Sequence, residues 1–156
     1  MRRRPTTKIG TNGGTYGGYS FWAAVPVAKI IFASGSRDIA ELALNASEDQ
    51  IKAAVEAGAK LLKDYTGNTG RSMGIWRTGD TLKSLTVKAA KRNADGWVCY
   101  VTYNGRNRKG NRNAEVAFIN EYGKRGQPAR PFNETAVSKA EEAVMQRMRD
   151  ILNKDE

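Results

Sequence analysis

At 156 residues the chain has the length of one domain, and its 40% hydrophobic residues suffice for a modest two-layer core. It holds no histidine and a single cysteine, Cys99, which removes the commonest general base, the commonest metal ligand and any internal disulfide. No stretch reaches the roughly 18 consecutive apolar residues of a membrane-spanning helix, and 26 basic against 16 acidic side chains, net charge +10, bias the chain toward polyanions or acidic surfaces.

Residues 1–27 read as a basic, Gly-rich arm: Arg2, Arg3 and Arg4 open it, Gly10, Gly13, Gly14, Gly17 and Gly18 follow, and no acid occurs before Asp38. Such a segment buries too little apolar surface to offset its ordering entropy, so we expect it to be flexible. The apolar stretch after it is too far from the arginines, and too interrupted by Pro26 and Lys29, for an export signal. Residues 28–156 read as one domain. A strand is expected over 28–33, carrying Ile30, Ile31 and Phe32 and closed by Ser34-Gly35. A short helix follows from Ser36, with Ile39, Leu42 and Ala43 on one side.

Ser47-Glu48-Asp49-Gln50 has the form of a capping box. Behind it Ile51, Ala54, Val55, Gly58, Leu61, Leu62 and Tyr65 recur at helical spacing, an apolar stripe that should fail at Gly67-Asn68-Thr69-Gly70. In Arg77-Thr78-Gly79-Asp80, Thr78 or Asp80 could cap a short helix through Leu82 and Leu85, with Gly79 easing the turn. Strands over 86–92 and 97–103, joined by 93–96 with its Asp-Gly pair, make a central hairpin. Cys99, Val101 and Tyr103 share one face of the second strand, and Val98 and Tyr100 the other, so it should be covered on two sides and Cys99 should be a small core residue. Residues 104–113 form a polar loop, 114–122 a short helix stopped by Gly123, and the closing helix opens with Pro131 in a first turn and Asn133 as its cap. That helix should bury Ala136, Val137, Ala140, Val144, Met148, Ile151 and Leu152. The fold class is therefore α+β: a small antiparallel β-sheet with a central hairpin packed against two long α-helices, behind a flexible N-terminal arm.

Catalytic and cofactor chemistry finds little support. Gly67-Asn68-Thr69-Gly70-Arg71-Ser72 lacks the lysine of a phosphate loop and follows a helix instead of preceding one. Glu141 and Glu142 are adjacent on a helix and diverge, unlike a general acid/base pair. We expect no enzyme activity, no cofactor and no metal. Basic residues gather in the loop: Arg106, Arg108, Lys109 and Arg112, interleaved with Gly and Asn, suit phosphate contacts without base reading, and they suit equally a solvated loop that keeps the protein soluble.

Three sequence words recur in a specific order. A long amphipathic helix leads into Arg77-Thr78-Gly79-Asp80-Thr81-Leu82-Lys83-Ser84-Leu85; then come the hairpin, Ala117-Phe118-Ile119-Asn120-Glu121-Tyr122-Gly123, and Arg130-Pro131-Phe132 before the last helix. In this order the chain resembles the gene-ten-like minor tail component family of siphophages, whose members act as head–tail joining, tail-completion or tail-terminator proteins. The resemblance covers roughly residues 28–153, with Thr81 as an extra residue and Ile75-Trp76 where the family has proline. It implies a structural bacteriophage protein made in the host cytoplasm and built into the virion at the neck. Its partners would be its own copies in a ring, commonly a hexamer, the tail tube protein and the head connector or adaptor proteins. DNA passing through the lumen would be touched without sequence preference, with Arg106, Arg108, Lys109 and Arg112 as candidate lumen residues, and no membrane would be involved. Under the resemblance Arg77, Thr78, Gly79, Leu82, Ser84, Glu121, Tyr122, Gly123, Arg130, Pro131 and Phe132 are the assembly motif. The alternative from charge alone is a small nucleic-acid-binding module.

Overall fold

The computed structural model describes residues 15–16, 19–20, 26–31, 37–94 and 96–154. The elements run β1 (Thr15–Tyr16), β2 (Tyr19–Ser20), β3 (Pro26–Ile31), α1 (Arg37–Asn45), α2 (Glu48–Ser72), α3 (Asp80–Lys83), β4 (Leu85–Val87), β5 (Lys91–Asn93), β6 (Gly96–Tyr103), α4 (Asn113–Tyr122) and α5 (Phe132–Leu152). This is the α+β arrangement read from the sequence.

β6 is the middle of the sheet. β3 runs antiparallel along one edge, with Ile30 opposite Cys99, while β4 and β5 share the other edge in succession, with Val87 opposite Val101 and Arg92 opposite Trp97. The single strand expected over 86–92 is thus broken at its middle. There the Lys88 N–H still reaches Tyr100 O at 2.8 Å, but the Ala90 N–H leaves the ladder and donates to Glu56 Oε1 of α2 at 3.0 Å. A side-chain acceptor from the helix layer replaces a carbonyl, satisfying the donor that a bulged strand would orphan.

α2 and α5 lie antiparallel on one face of the sheet: Gly58 faces Val144 and Met148, and Gly70 faces Phe132. The Ser47 capping box forms as expected, with the Gln50 N–H donating to Ser47 Oγ and the Ser47 N–H to Gln50 Oε1. The helix does not stop at its Gly67–Gly70 cluster; it continues to Ser72. Thr66 and Thr69 are buried along this extension, and the Thr66 hydroxyl is satisfied by Leu62 O at 2.9 Å. Gly70 is there for room, because a Cβ would stand 2.7 Å from Leu82 Cδ2 and 3.2 Å from Phe132 Cδ2. Packing of α3 and α5 against this turn outweighs the ~1 kcal/mol cost of each helical glycine. The chain turns at Gly74, φ +77°.

The core joins Val55, Ala59 and Leu62 of α2, Leu82 and Leu85, the β6 face Cys99–Val101–Tyr103, and Phe132, Ala140, Val144, Met148 and Leu152 of α5. Cys99 is fully buried, its S–H donating to Lys88 O, and burial pushes the thiol up to about 11. Val98 and Thr102 on the opposite face are also buried. In α5 the expected stripe holds except at Val137, which is 37% exposed, and Ile151, which is only partly buried.

The arm expected over 1–27 falls, for residues 1–14, 17–18 and 21–25, outside the described residues. Within it β1 pairs with β2, and Pro26 and Val27 already belong to β3, so the sheet starts before residue 28. Residues 32–36, where the strand was expected to end and the first helix to begin, also lie outside the described residues.

Candidate assembly site

The three sequence words meet at one end of the molecule, where the C terminus of α2, the α3 turn, the end of α4 and the start of α5 converge. The first word turns at Gly79, buried with φ +75°, above which a Cβ would press on the Trp76 ring at 3.0 Å. Neither expected side-chain cap closes α3. Thr78 Oγ accepts only a long 3.4 Å bond from the Asp80 N–H, and the Asp80 carboxylate is taken by Arg108. It accepts from the Arg108 N–H at 3.3 Å and from Arg108 Nε at 3.2 Å. Leu82 inserts into the core, and Ser84 O accepts from the Asn104 N–H at 3.0 Å, fastening α3 to the end of β6. Arg77 is exposed.

The basic loop is folded on itself. Asn107 Oδ1 accepts from the N–H groups of Lys109 and Asn111, Arg106 donates to Gly110 O at 2.7 Å, and Arg106 and Arg112 form an antiparallel bridge. Arg108 serves Asp80, while the side chains of Arg106, Lys109 and Arg112 stay exposed. The loop is a pinned hairpin, and two of its four candidate cations, Arg106 and Arg108, are engaged within the protomer.

The second and third words are bonded to each other. Glu121, 5% exposed, accepts from the Asn133 N–H at 2.8 Å and the Glu134 N–H at 3.0 Å. Those are orphan donors of the first turn of α5, whose N-cap position is held by Pro131 and offers no side-chain cap. The expectation that Asn133 caps this helix is therefore corrected: its side chain accepts from Tyr103 Oη at 2.7 Å, and the cap comes from α4. Burial raises the Glu121 carboxyl above its ordinary value, an effect the two backbone donors oppose and the neighbouring Glu134 charge reinforces. The Tyr103 hydroxyl is likewise held well above its usual range by burial and by Glu121.

Arg130 ties three segments. Its N–H donates to Asn120 O at 2.7 Å, Nη2 to Asn120 Oδ1 at 2.9 Å, and Nη1 to Gly74 O at 3.2 Å. Gly123 ends α4 with φ +77° and ψ 174°, outside the left-handed helical region but in one equally reserved for glycine. A Cβ there would lie 2.8 Å from both Ala129 N and Gln127 O. Phe132, fully buried, meets Tyr103 edge-on at 6.4 Å. Tyr122 is 49% exposed and packs on Phe118.

Two participants escaped the sequence reading. Asn120 lies inside the second word and anchors Arg130 by both its carbonyl and its side chain; an Asn one residue before an acid gives no local sign of this. Asp80 was read as a cap, and nothing in its neighbourhood announces a partner twenty-eight residues on.

Among the described residues no group of three or more Asp, Glu or Cys side chains could hold a metal ion, and no helix is long and apolar enough to cross a membrane. Fold and site define a small α+β protein in which Glu121, Asn120 and Arg130 bond the ends of α2, α4 and α5 to one another. Comparison with models of known families, with curated proteins and with solved structures finds no match.

Proposed function

We propose that this chain is a structural protein of the neck of a long-tailed bacteriophage. It is one protomer of a ring, six copies in the resemblance, that joins or terminates the tail tube and leaves a lumen for DNA. The observation that carries the reading is the convergence of the three words on a single joint. Glu121 caps α5, Arg130 binds Asn120 and the Gly74 carbonyl, and Leu82 and Phe132 meet over Gly70. These residue types are spent on holding geometry, the use a structural protomer makes of them and a reactive cleft does not. Imaging of purified phage particles tests it: the expected result is density for this chain in one ring at the head–tail junction. Its absence from particles overturns the reading.

A second reading, a small nucleic-acid module, has the exposed side chains of Arg106, Lys109 and Arg112 in its favour. If this loop touches DNA, replacing the three by Gln flattens the salt dependence of binding by up to about 3 in slope, one unit for each phosphate no longer neutralised. Feeble binding unchanged by the substitution removes this reading.

A further inference from the structure

Two exposed patches on this chain carry opposite charge, and no ion pair among the described residues joins them. The first surrounds Trp76, 37% exposed, with Arg71 Cζ 4.6 Å and Lys83 Nζ 5.6 Å from the ring centre. A tryptophan carrying two cations holds them in place through its ring quadrupole without neutralising them. Of the ion pairs among the described residues none involves Arg71 or Lys83. The second patch lies on α5, where Glu134, Val137 and Glu141 follow at spacings of three and four and so share one helix face. Val137 is 37% exposed, and neither glutamate enters an ion pair among the described residues, whereas Glu142 pairs with Arg149.

An exposed apolar centre flanked by two free charges thus occurs twice, with opposite sign. Because Gly58 faces Val144 and Gly70 faces Phe132, Glu141 sits some two turns or more, on the order of 12 Å, back along α2 from its C terminus. We infer that the Trp76 patch of one copy docks on the Val137 face of the next, Arg71 and Lys83 meeting Glu134 and Glu141 around a Trp–Val contact. Two different patches make a heterologous contact, which repeats from copy to copy and closes into a ring when the rotation permits. The inference rests on the ring reading above and assigns its subunit contact. Tryptophan and arginine at the centre of such a contact carry most of its strength, and the charges select the partner.

Charge reversal tests it on the full chain. Arg71→Glu with Lys83→Glu leaves both patches acidic, and Glu134→Lys with Glu141→Lys leaves both basic. Each variant alone is expected to self-associate more weakly by tenfold or more, on the order of a repelling contact, in sedimentation velocity. Equimolar mixing restores association, because every contact then joins opposite signs. As a second measurement that also captures a weak contact, Trp76→Cys chains mixed with differently tagged Val137→Cys chains form a mixed disulfide under mild oxidation. Leu44→Cys chains, exposed elsewhere at 85%, serve as the control partner. Cys99 is buried and does not compete. Failure of mixing to restore association, or trapping no better than with Leu44→Cys, overturns the proposed docking. So does a loss of DNA binding by the acidic variant with self-association unchanged, which would assign the Trp76 patch to nucleic acid. A chain found at the neck but indifferent to the reversals removes the docking and leaves the neck reading, and restored pairing by a chain absent from particles does the reverse.

Discussion

Replacing Glu121 by alanine removes both acceptors that close the first turn of α5. Pro131 at the N-cap offers no side-chain cap, and no other described side chain bonds the Asn133 and Glu134 N–H groups. A missing N-cap costs about 0.5–2 kcal/mol, and a hydrogen bond to a charged group contributes about 1.5–3 kcal/mol. Relief of the desolvation that raises this carboxyl offsets part of that sum. We therefore expect a loss of about 2–3 kcal/mol at neutral pH by urea denaturation, equivalent to roughly 5–10 °C in melting temperature for a chain of this size. Glu121→Gln keeps the shape and one acceptor, and should lose about half as much. The pH dependence separates the two. Because burial raises the Glu121 pKa above 4.5 in the folded chain, the folded state holds this proton more tightly than the unfolded one. Its contribution is fully present below pH 4.5 and declines as pH rises through the raised folded value. The stability of the wild-type chain relative to Glu121→Gln should therefore fall with rising pH over that window. A Glu121→Ala protein within about 0.5 kcal/mol of wild type refutes the tertiary cap; a relative stability that climbs with pH refutes the burial-raised carboxyl, because it means the two backbone donors outweigh desolvation.

Gly123→Ala should lose about 3 kcal/mol or more, since its φ of +77° disfavours a side chain and the new Cβ meets backbone atoms of 127 and 129 that cannot step aside; an unchanged thermal melt counts against this. Phe132→Ala should cost about 3–5 kcal/mol, because the ring is fully buried beneath Gly70 and beside Tyr103, and chemical denaturation reads it directly. Cys99, with its thiol pushed up to about 11, should react with a thiol reagent at neutral pH only as fast as the protein opens; immediate labelling of the native chain contradicts its burial.

What could be read in advance follows from which interactions are local. The Ser47–Gln50 box and the α2 stripe were legible because a helix writes its cap and its buried face within a few residues of itself. The alternation through Cys99, Val101 and Tyr103 was legible because a strand has period two and β6 buries that face. Gly123 was legible as a stop, although its ψ of 174° was not, since glycine tolerates several backbone regions at positive φ and only the return of 127–129 selects one.

Three further features depended on meetings between distant segments. α2 passes through Gly67 and Gly70 because Leu82 and Phe132 need the space over residue 70, and this tertiary packing outweighs local propensity. The strand over 86–92 breaks because Glu56, a helix residue, takes the Ala90 N–H. The cap of α5 lies on α4, and the anchor of the basic loop lies on α3. A carboxylate acquires these roles only when folding brings a bare N–H or a guanidinium within about 3 Å of it. Nothing within a few residues of Glu121 or Asp80 can encode that meeting. The chain by itself determined which segments become helix and strand and which faces are apolar. Closure of the two-layer core decided which polar side chains meet, because hydrogen bonds act over ångströms and the segments they join here are separated by up to 56 residues.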